Sequence, residues 1–254
     1  MLRTRVIPAL LIDGQGLVKT VKFKKPQYIG DASNSCRIYN QMEVDELMLF
    51  DIKASSNKKS IQFKMIEKIV SECFMPICYG GGVKSIDDFK TLFRIGVEKV
   101  SVSSLMFENK DVIQSAIKIF GSQSIVGVLD VKSSRFLKKK QIYIYNGKKK
   151  IQMPIEEAVE LIKEIGFGEL IVNSIDREGT WTGFDCELVR YFSERLDIPV
   201  VALGGAGSKE DIRHAVYEGH ASAVALGSMA VFQSKGMGVL IKFPKLNEIK
   251  KILE

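Results

Sequence analysis

The chain has 254 residues, 46% of them hydrophobic, and a formal net charge of +7. That length and apolar fraction fit one large α/β domain, big enough to bury a sizeable core without staples. Four cysteines (Cys36, Cys73, Cys78, Cys186) without C-x-x-C spacing and two histidines (His214, His220) in one late segment exclude a disulfide framework, a zinc site and a Ser–His relay.

In chain order, the opening MLRTRVIPALLI is too short and too soon punctuated for a secretion signal. No stretch reaches the ~20 apolar residues of a membrane span, so a cytoplasmic protein without membrane contact is expected. Short β-branched runs predict strands at Arg5–Leu11, Asp45–Asp51, Met75–Tyr79 and Glu98–Ser103. Four more follow at Ser124–Asp130, Glu169–Ser174, Ile198–Leu203 and Ser222–Gly227. Helix-period stretches lie between them, among them Ser60–Cys73, Ile155–Ile165 and Lys209–Glu218. Near-continuous apolar strands imply a parallel sheet buried on both faces, and eight β–α alternations close into a (β/α)8 TIM barrel spanning 1–254. One irregular insertion is predicted after the fifth strand, in Gln141–Met153, where Asn146-Gly147 between alternating runs reads as a type I′ hairpin. Much of the positive charge flanks it, in Lys138-Lys139-Lys140 and Lys148-Lys149-Lys150. With no aromatics interleaved beyond Tyr143 and Tyr145, these runs read as solvated hairpin edges and no nucleic-acid partner is expected.

The two halves of the chain resemble each other. "DELMLFDIKAS" from Asp45 matches "GELIVNSIDREGT" from Gly168, and "PICYGGGVKSIDDF" from Pro76 matches "PVVALGGAGSKEDI" from Pro199. An offset of about 120 residues divides the barrel into half-barrels of approximately 1–120 and 121–254. Twin anion sites are then expected across the mouth. Gly80-Gly81-Gly82 closes the third strand and Gly204-Gly205-Ala206-Gly207 the seventh; Ser103-Ser104 ends the fourth and Gly227-Ser228 the eighth. Glycines let backbone N–H groups approach an anion, and the helix that follows adds its dipole. The expected ligand is a doubly phosphorylated, or similarly anionic, small molecule held across the C-terminal mouth.

Asp130 ends the fifth strand, on the face where barrel enzymes keep their reactive groups. A carboxylate there suits general acid–base work, with a helix cap or a buried ion pair as the structural alternative. The repeat makes Leu11 its first-strand counterpart, so no second carboxylate faces it; Asp13 falls in the turn-like Asp13-Gly14-Gln15-Gly16. Lys19 and Asp51 follow strand ends at the mouth. Lys19 is placed to meet a phosphate or close a loop, with a solvated surface lysine as the alternative; Asp51 is placed to orient a substrate hydroxyl or to pair with Lys19 or Lys53. Trp181, the only tryptophan, is expected to cover apolar surface. At the opposite end Arg5, Glu46, Lys99 and Glu169 stand at strand starts, where four charges must pair mutually, as a plug or as a gate. No metal or organic cofactor is indicated.

Together these motifs resemble the cyclase subunit of imidazole glycerol phosphate synthase, over essentially the whole chain. The likeness is carried by "RVIPALL", "DELMLFDIKAS", "YGGGV", "VEKVSVSS", "FGSQSIVGVLDVK", "ELIVNSIDREGTWTGFD" and "GGAG". The resemblance implies a heterodimer with a glutaminase subunit, whose ammonia enters the barrel floor and travels along the interior. At the mouth it would cleave and cyclise a ribulose-containing bisphosphate intermediate into imidazole glycerol phosphate and an aminoimidazole carboxamide ribotide. By position, the resemblance makes Arg5, Glu46, Lys99 and Glu169 an ammonia gate. It implies that Gly82, Ser103 and Ser104 hold one phosphate and Gly179, Gly205, Gly227 and Ser228 the other, with Glu178 where the family usually has Asp. Asp130 becomes one of two catalytic aspartates, and Leu11 stands in the place of the other.

That departure matters, because an isobutyl group transfers no proton and a lost acid–base partner costs roughly 10²–10⁴ in rate. In "KFKKPQYIGD", after the first strand, Gln27 and Tyr28 also replace an Arg-Asp pair usual in the family. The combination is similar to the family's glycosyl amidation-associated branch, which implies ammonia delivery to a separate sugar amidotransferase in surface polysaccharide synthesis. The leading expectation is therefore an ammonia-conducting subunit for nucleotide-sugar amidination. The alternatives are a histidine-biosynthesis cyclase–lyase that tolerates Leu11, and a non-catalytic phosphate-binding scaffold.

Overall fold

Strands that are apolar on both faces need cover on both sides, and closing the sheet on itself supplies one of them. The computed structural model describes residues 4–14, 16–55, 60–134 and 139–254. Its strands are β1 (Arg5–Asp13), β2 (Gly16–Val21), β3 (Lys24–Asp31), β4 (Leu47–Asp51), β5 (Ile77–Gly80) and β6 (Lys99–Val102). They continue as β7 (Ile125–Ser133), β8 (Lys140–Ile144), β9 (Lys149–Lys150), β10 (Glu169–Ser174), β11 (Val200–Leu203) and β12 (Ala223–Leu226). The helices are α1 (Ala32–Gln41), α2 (Phe63–Val70), α3 (Ile86–Arg94), α4 (Ser104–Glu108), α5 (Lys110–Phe120), α6 (Ile155–Ile165), α7 (Cys186–Ser193), α8 (Lys209–Tyr217) and α9 (Leu246–Leu253).

β1, β4, β5, β6, β7, β10, β11 and β12 pair in that order, all in parallel, and β12 closes on β1. The chain is a (β/α)8 barrel, as the alternating pattern predicts. The pleat sorts its side chains into two separate apolar clusters. Val6, Leu10 and Ile12 of β1 pack outward into the core beneath the helices. Ile7 and Ala9 point inward, to meet Met48, Cys78, Val126, Ile171 and Val201 inside the barrel.

The helices after the two glycine turns start alike. Ser85 and Asp88 form a capping box at the head of α3, and Ser208 and Asp211 form its mate at α8. Each box satisfies otherwise orphaned backbone donors and fixes where the chain leaves the turn before it.

The insertion after the fifth barrel strand is present: β8 pairs antiparallel with the overhang of β7, Asp130 opposite Tyr143. Asn146 (φ 57°) and Gly147 (φ 74°) form its turn, closed by Lys148 N–H donating to Tyr145 O at 3.3 Å. It is not the only insertion, which corrects the sequence reading. β2 and β3 form a second hairpin after the first barrel strand, with Leu11 of β1 opposite Val18 of β2. Lys19 accordingly lies within a strand rather than on a loop beyond one. β3 is exposed along nearly its whole length and contains Pro26, so it carries no alternation from which a strand is legible. The helix expected over Ser60–Cys73 is the shorter α2, because the chain is already turning by Ser71. Gln15 and Lys138 lie outside the described residues. Among the described residues, no helix is long and apolar enough to cross a membrane.

Candidate functional site

All the residues proposed for the mouth line one cleft at the C-terminal ends of the barrel strands: Asp130, Gly82, Ser103, Ser104, Gly179, Gly205, Gly227, Ser228, Lys19, Asp51 and Glu178. Leu11 lines it too. On one side the Gly82 amide donates to Ser55 Oγ at 2.9 Å, and Ser104 begins α4. The Ser103 hydroxyl beside it is buried and bonds to no described residue. A buried, unpaired hydroxyl lining a cleft is a ready partner for a ligand oxygen.

On the other side, Gly205 has φ 113°, and a side chain there would overlap the Gly183 carbonyl that lies against it. Only glycine fits that left-handed, crowded position. Gly205 O accepts from Gly183 N–H at 2.9 Å, which ties the seventh-strand turn to the loop after β10. Gly205→Val is therefore expected to destabilise the fold by about 2 kcal/mol or more. Urea denaturation checks this; a variant as stable as the parent would refute the fit argument. Gly179 (φ 70°) packs equally close to Thr20 of β2.

Asp130 sits between these turns, 9% exposed, and accepts a 2.8 Å hydrogen bond from Asn173 Nδ2. Burial pushes its carboxyl up to about 7; the Asn173 bond works against that rise and the nearby Glu178 charge adds to it. A carboxyl held near neutrality is able both to donate and to accept a proton. Lys19 is buried, its Nζ donating to Ala9 O, and burial pulls its ammonium down to about 8 against the attraction of Glu178. Glu178, raised by burial, accepts from Thr20 Oγ1 at 2.9 Å and Phe23 N–H at 3.0 Å, and so clamps the β2–β3 hairpin against the mouth. Asp51 Oδ1 accepts from the Lys53 and Ala54 amides, both at 2.9 Å, shaping the loop after β4. The Lys53 ammonium reaches Asp13 at 2.7 Å. Trp181 packs against the main core, as expected of a covering residue.

Sequence reasoning missed Asn173. Its signal was a lone amide in the apolar run ELIVNS, four residues from Glu169 and so on the same strand face. Its Oδ1 is also buried without a partner among the described residues.

At the floor the four charged residues close a ring. Arg5 bonds both Glu46 and Glu169, and Lys99 Nζ lies 3.1 Å from Glu46 and 3.0 Å from Glu169. The carboxylates are nearly sealed from solvent, whereas Arg5 and Lys99 are about a quarter exposed. Burial opposes the charge on Arg5 and Lys99, but the two carboxylates outweigh it and raise both. Above the ring lies the inner apolar cluster, and above that the mouth. Ions cross such an interior only at high cost, whereas a small neutral molecule does not bear that penalty.

Fold and cleft together define a class: (β/α)8 barrels with a buried carboxyl and paired glycine-serine turns at the mouth. Residues 5–235 match the family described as histidine biosynthesis protein. The chain is 44% identical over 254 residues to a provisionally named imidazole glycerol phosphate synthase subunit of Vibrio vulnificus, covering 100% of this chain and 98% of that one. A protein of the same provisional description from Pseudomonas aeruginosa is 43% identical over 249 residues, covering 98% and 99%. The imidazole glycerol phosphate synthase subunit of Dehalococcoides mccartyi is 37% identical over 254 residues, covering 100% of both chains. The chain belongs to the imidazole glycerol phosphate synthase cyclase-subunit family, and its fold is the lyase/cyclase type of that family.

Proposed function

We propose that this chain is the cyclase subunit of an imidazole glycerol phosphate synthase-type enzyme. A glutaminase partner docks at the floor, and its ammonia passes the ring of Arg5, Glu46, Lys99 and Glu169 and crosses the apolar interior. At the mouth it meets a ribulose-containing bisphosphate. Gly82, Ser103 and Ser104 hold one phosphate; Gly179, Gly205, Gly227 and Ser228 hold the other, with Lys19 supplying positive charge beside Gly227. Asp130 moves the protons of cleavage and cyclisation. The observation that carries this reading is the single cleft uniting both glycine-serine turn pairs with a carboxyl that titrates near neutral pH. Purified chain given an ammonium salt and the ribulose-containing bisphosphate intermediate should form imidazole glycerol phosphate; no product at any ammonia concentration would refute it.

Leu11 favours a second reading, in which ammonia leaves the mouth for a sugar amidotransferase. It faces the cleft where the half-barrel repeat pairs it with Asp130, and it offers no proton. The two readings part on Leu11→Asp. If the mouth performs cyclisation, the variant should gain at least about tenfold in ammonia-dependent turnover, part of the 10²–10⁴ that a positioned acid–base group supplies. Glutaminase binding with neither basal turnover nor any gain in the variant would support the relay. Failure to bind any glutaminase subunit would leave only a phosphate-binding scaffold.

A further inference from the structure

Six exposed lysines crown the mouth: Lys22, Lys24 and Lys25 on the β2–β3 hairpin, and Lys148, Lys149 and Lys150 on the β8–β9 hairpin. None of them forms an ion pair among the described residues, and neither lysine run contains an acidic residue. The two hairpins grow from β1 and β7, the first strand of each half of the chain, and they meet over the barrel. A Cβ added to Gly147 would lie 3.1 Å from the Phe23 ring. Phe23, Tyr145 and Asn146 at the two tips line the cleft, so the lysines stand on its lip.

The tips are built rather than loose. Lys22 (φ 53°), Phe23 (φ 60°), Lys25 (φ 52°) and Tyr145 (φ 54°), beside Asn146 (φ 57°), occupy left-handed backbone, which disfavours most residues other than glycine and asparagine. Such conformations persist where surrounding contacts over-determine them. Here the Lys22 N–H donates to Glu178 O at 3.0 Å and the Tyr145 hydroxyl is bonded to Glu108. The carboxylates nearest the lip are mostly turned inward: Asp51 and Asp130 are buried in the cleft and Glu178 is half-buried, while the exposed Glu108 accepts from the Tyr145 hydroxyl. The six exposed lysines outnumber the exposed carboxylate beside them, so the lip is net positive.

A concave opening rimmed by one sign of charge focuses the field and raises the local concentration of oppositely charged ligand. We propose that the two lysine-bearing hairpins form an electrostatic collecting surface that draws the doubly phosphorylated substrate into the mouth. The proposal rests on the reading that the cleft takes a doubly charged phosphate ester. It turns the lysine runs from solvated edges into part of the substrate's route.

The test compares two variants of equal net charge. One combines Lys24→Gln, Lys25→Gln, Lys149→Gln and Lys150→Gln; the other combines Lys68→Gln, Lys118→Gln, Lys250→Gln and Lys251→Gln, exposed positions away from the lip. Binding of the ribulose-containing bisphosphate intermediate is followed by stopped-flow fluorescence of Trp181, in the loop packed against Gly207 beside the second glycine turn, and by calorimetry at equilibrium. At low ionic strength the lip variant should associate about tenfold more slowly than the parent, and the control variant within about twofold of it. Dissociation should be unchanged, and the gap should close in ~1 M salt, where screening shortens to about 3 Å. Equal association for all three proteins, or an equal loss in both variants, overturns the proposal. A loss residing in dissociation also overturns it, since the lysines would then be ordinary contact residues. Binding with unaltered association removes the lip and leaves the mouth reading intact, whereas a parent chain that binds no bisphosphate removes both.

Discussion

Changing Asp130 to Asn will lower ammonia-dependent turnover by roughly 10²–10⁴ while making the folded chain more stable above neutral pH. The first effect follows from position: Asp130 is the carboxyl in the cleft held between the two glycine-serine turns, and amides do not transfer protons at useful rates. The second follows from linkage. Burial raises the folded-state value to about 7, well above that of an exposed carboxyl, so the folded chain holds this proton more tightly than the unfolded one. Stability contributed by this group is therefore full at acid pH and is lost as pH rises toward and through about 7. Asn keeps the shape and can still accept from Asn173, but never ionises. Urea denaturation from about pH 5 to about pH 8 should show the variant's advantage growing to a few kcal/mol at the alkaline end. A gap that stays constant or shrinks as pH rises would contradict the burial argument. Full activity in the variant would contradict the assignment of Asp130 as the proton carrier.

Lys99→Met should cost the fold about 3 kcal/mol, the low end for a broken buried ion pair because Lys99 is itself partly exposed. Glu46 and Glu169 would then share Arg5 alone, with half the positive charge needed to balance two nearly sealed carboxylates. Adding Glu169→Gln should recover most of the loss, since Arg5 and Glu46 can pair without it. If the ring also governs ammonia passage, glutamine-driven turnover should fall further than turnover supplied with ammonium salt from solution. Equal losses with both nitrogen sources would reduce the ring to a structural plug.

Much of the fold was legible in the chain because a parallel barrel buries its strands on both faces, and near-continuous apolar runs such as IVGVLDV and ELIVNS have few other uses. The floor charges were legible for the same reason: Arg5, Glu46, Lys99 and Glu169 interrupt such runs at their starts, where a solitary ion would be intolerable. The repeat added a second line of argument, and the matching capping boxes at Ser85 and Ser208 express it in local geometry. The β2–β3 hairpin was not legible. Its outer strand is solvated on both faces, so its pairing is decided by β2 and by the Glu178 clamp rather than by any pattern of its own. Lys19 owes its burial to that same pairing, and no property of residues 16–31 announces it. By contrast Asn146-Gly147 announced the other hairpin, because two adjacent left-handed positions favour that dipeptide.

The account turns on ammonia moving inside the barrel from floor to mouth. The direct test reconstitutes the chain with a glutaminase subunit and supplies glutamine carrying heavy nitrogen at its side-chain amide, in a buffer with excess unlabelled ammonium. The nitrogen newly incorporated into imidazole glycerol phosphate is then weighed by mass spectrometry. Internal passage predicts that nearly all of it carries the label despite the unlabelled excess, and a product matching the isotope ratio of the surrounding buffer would contradict the account.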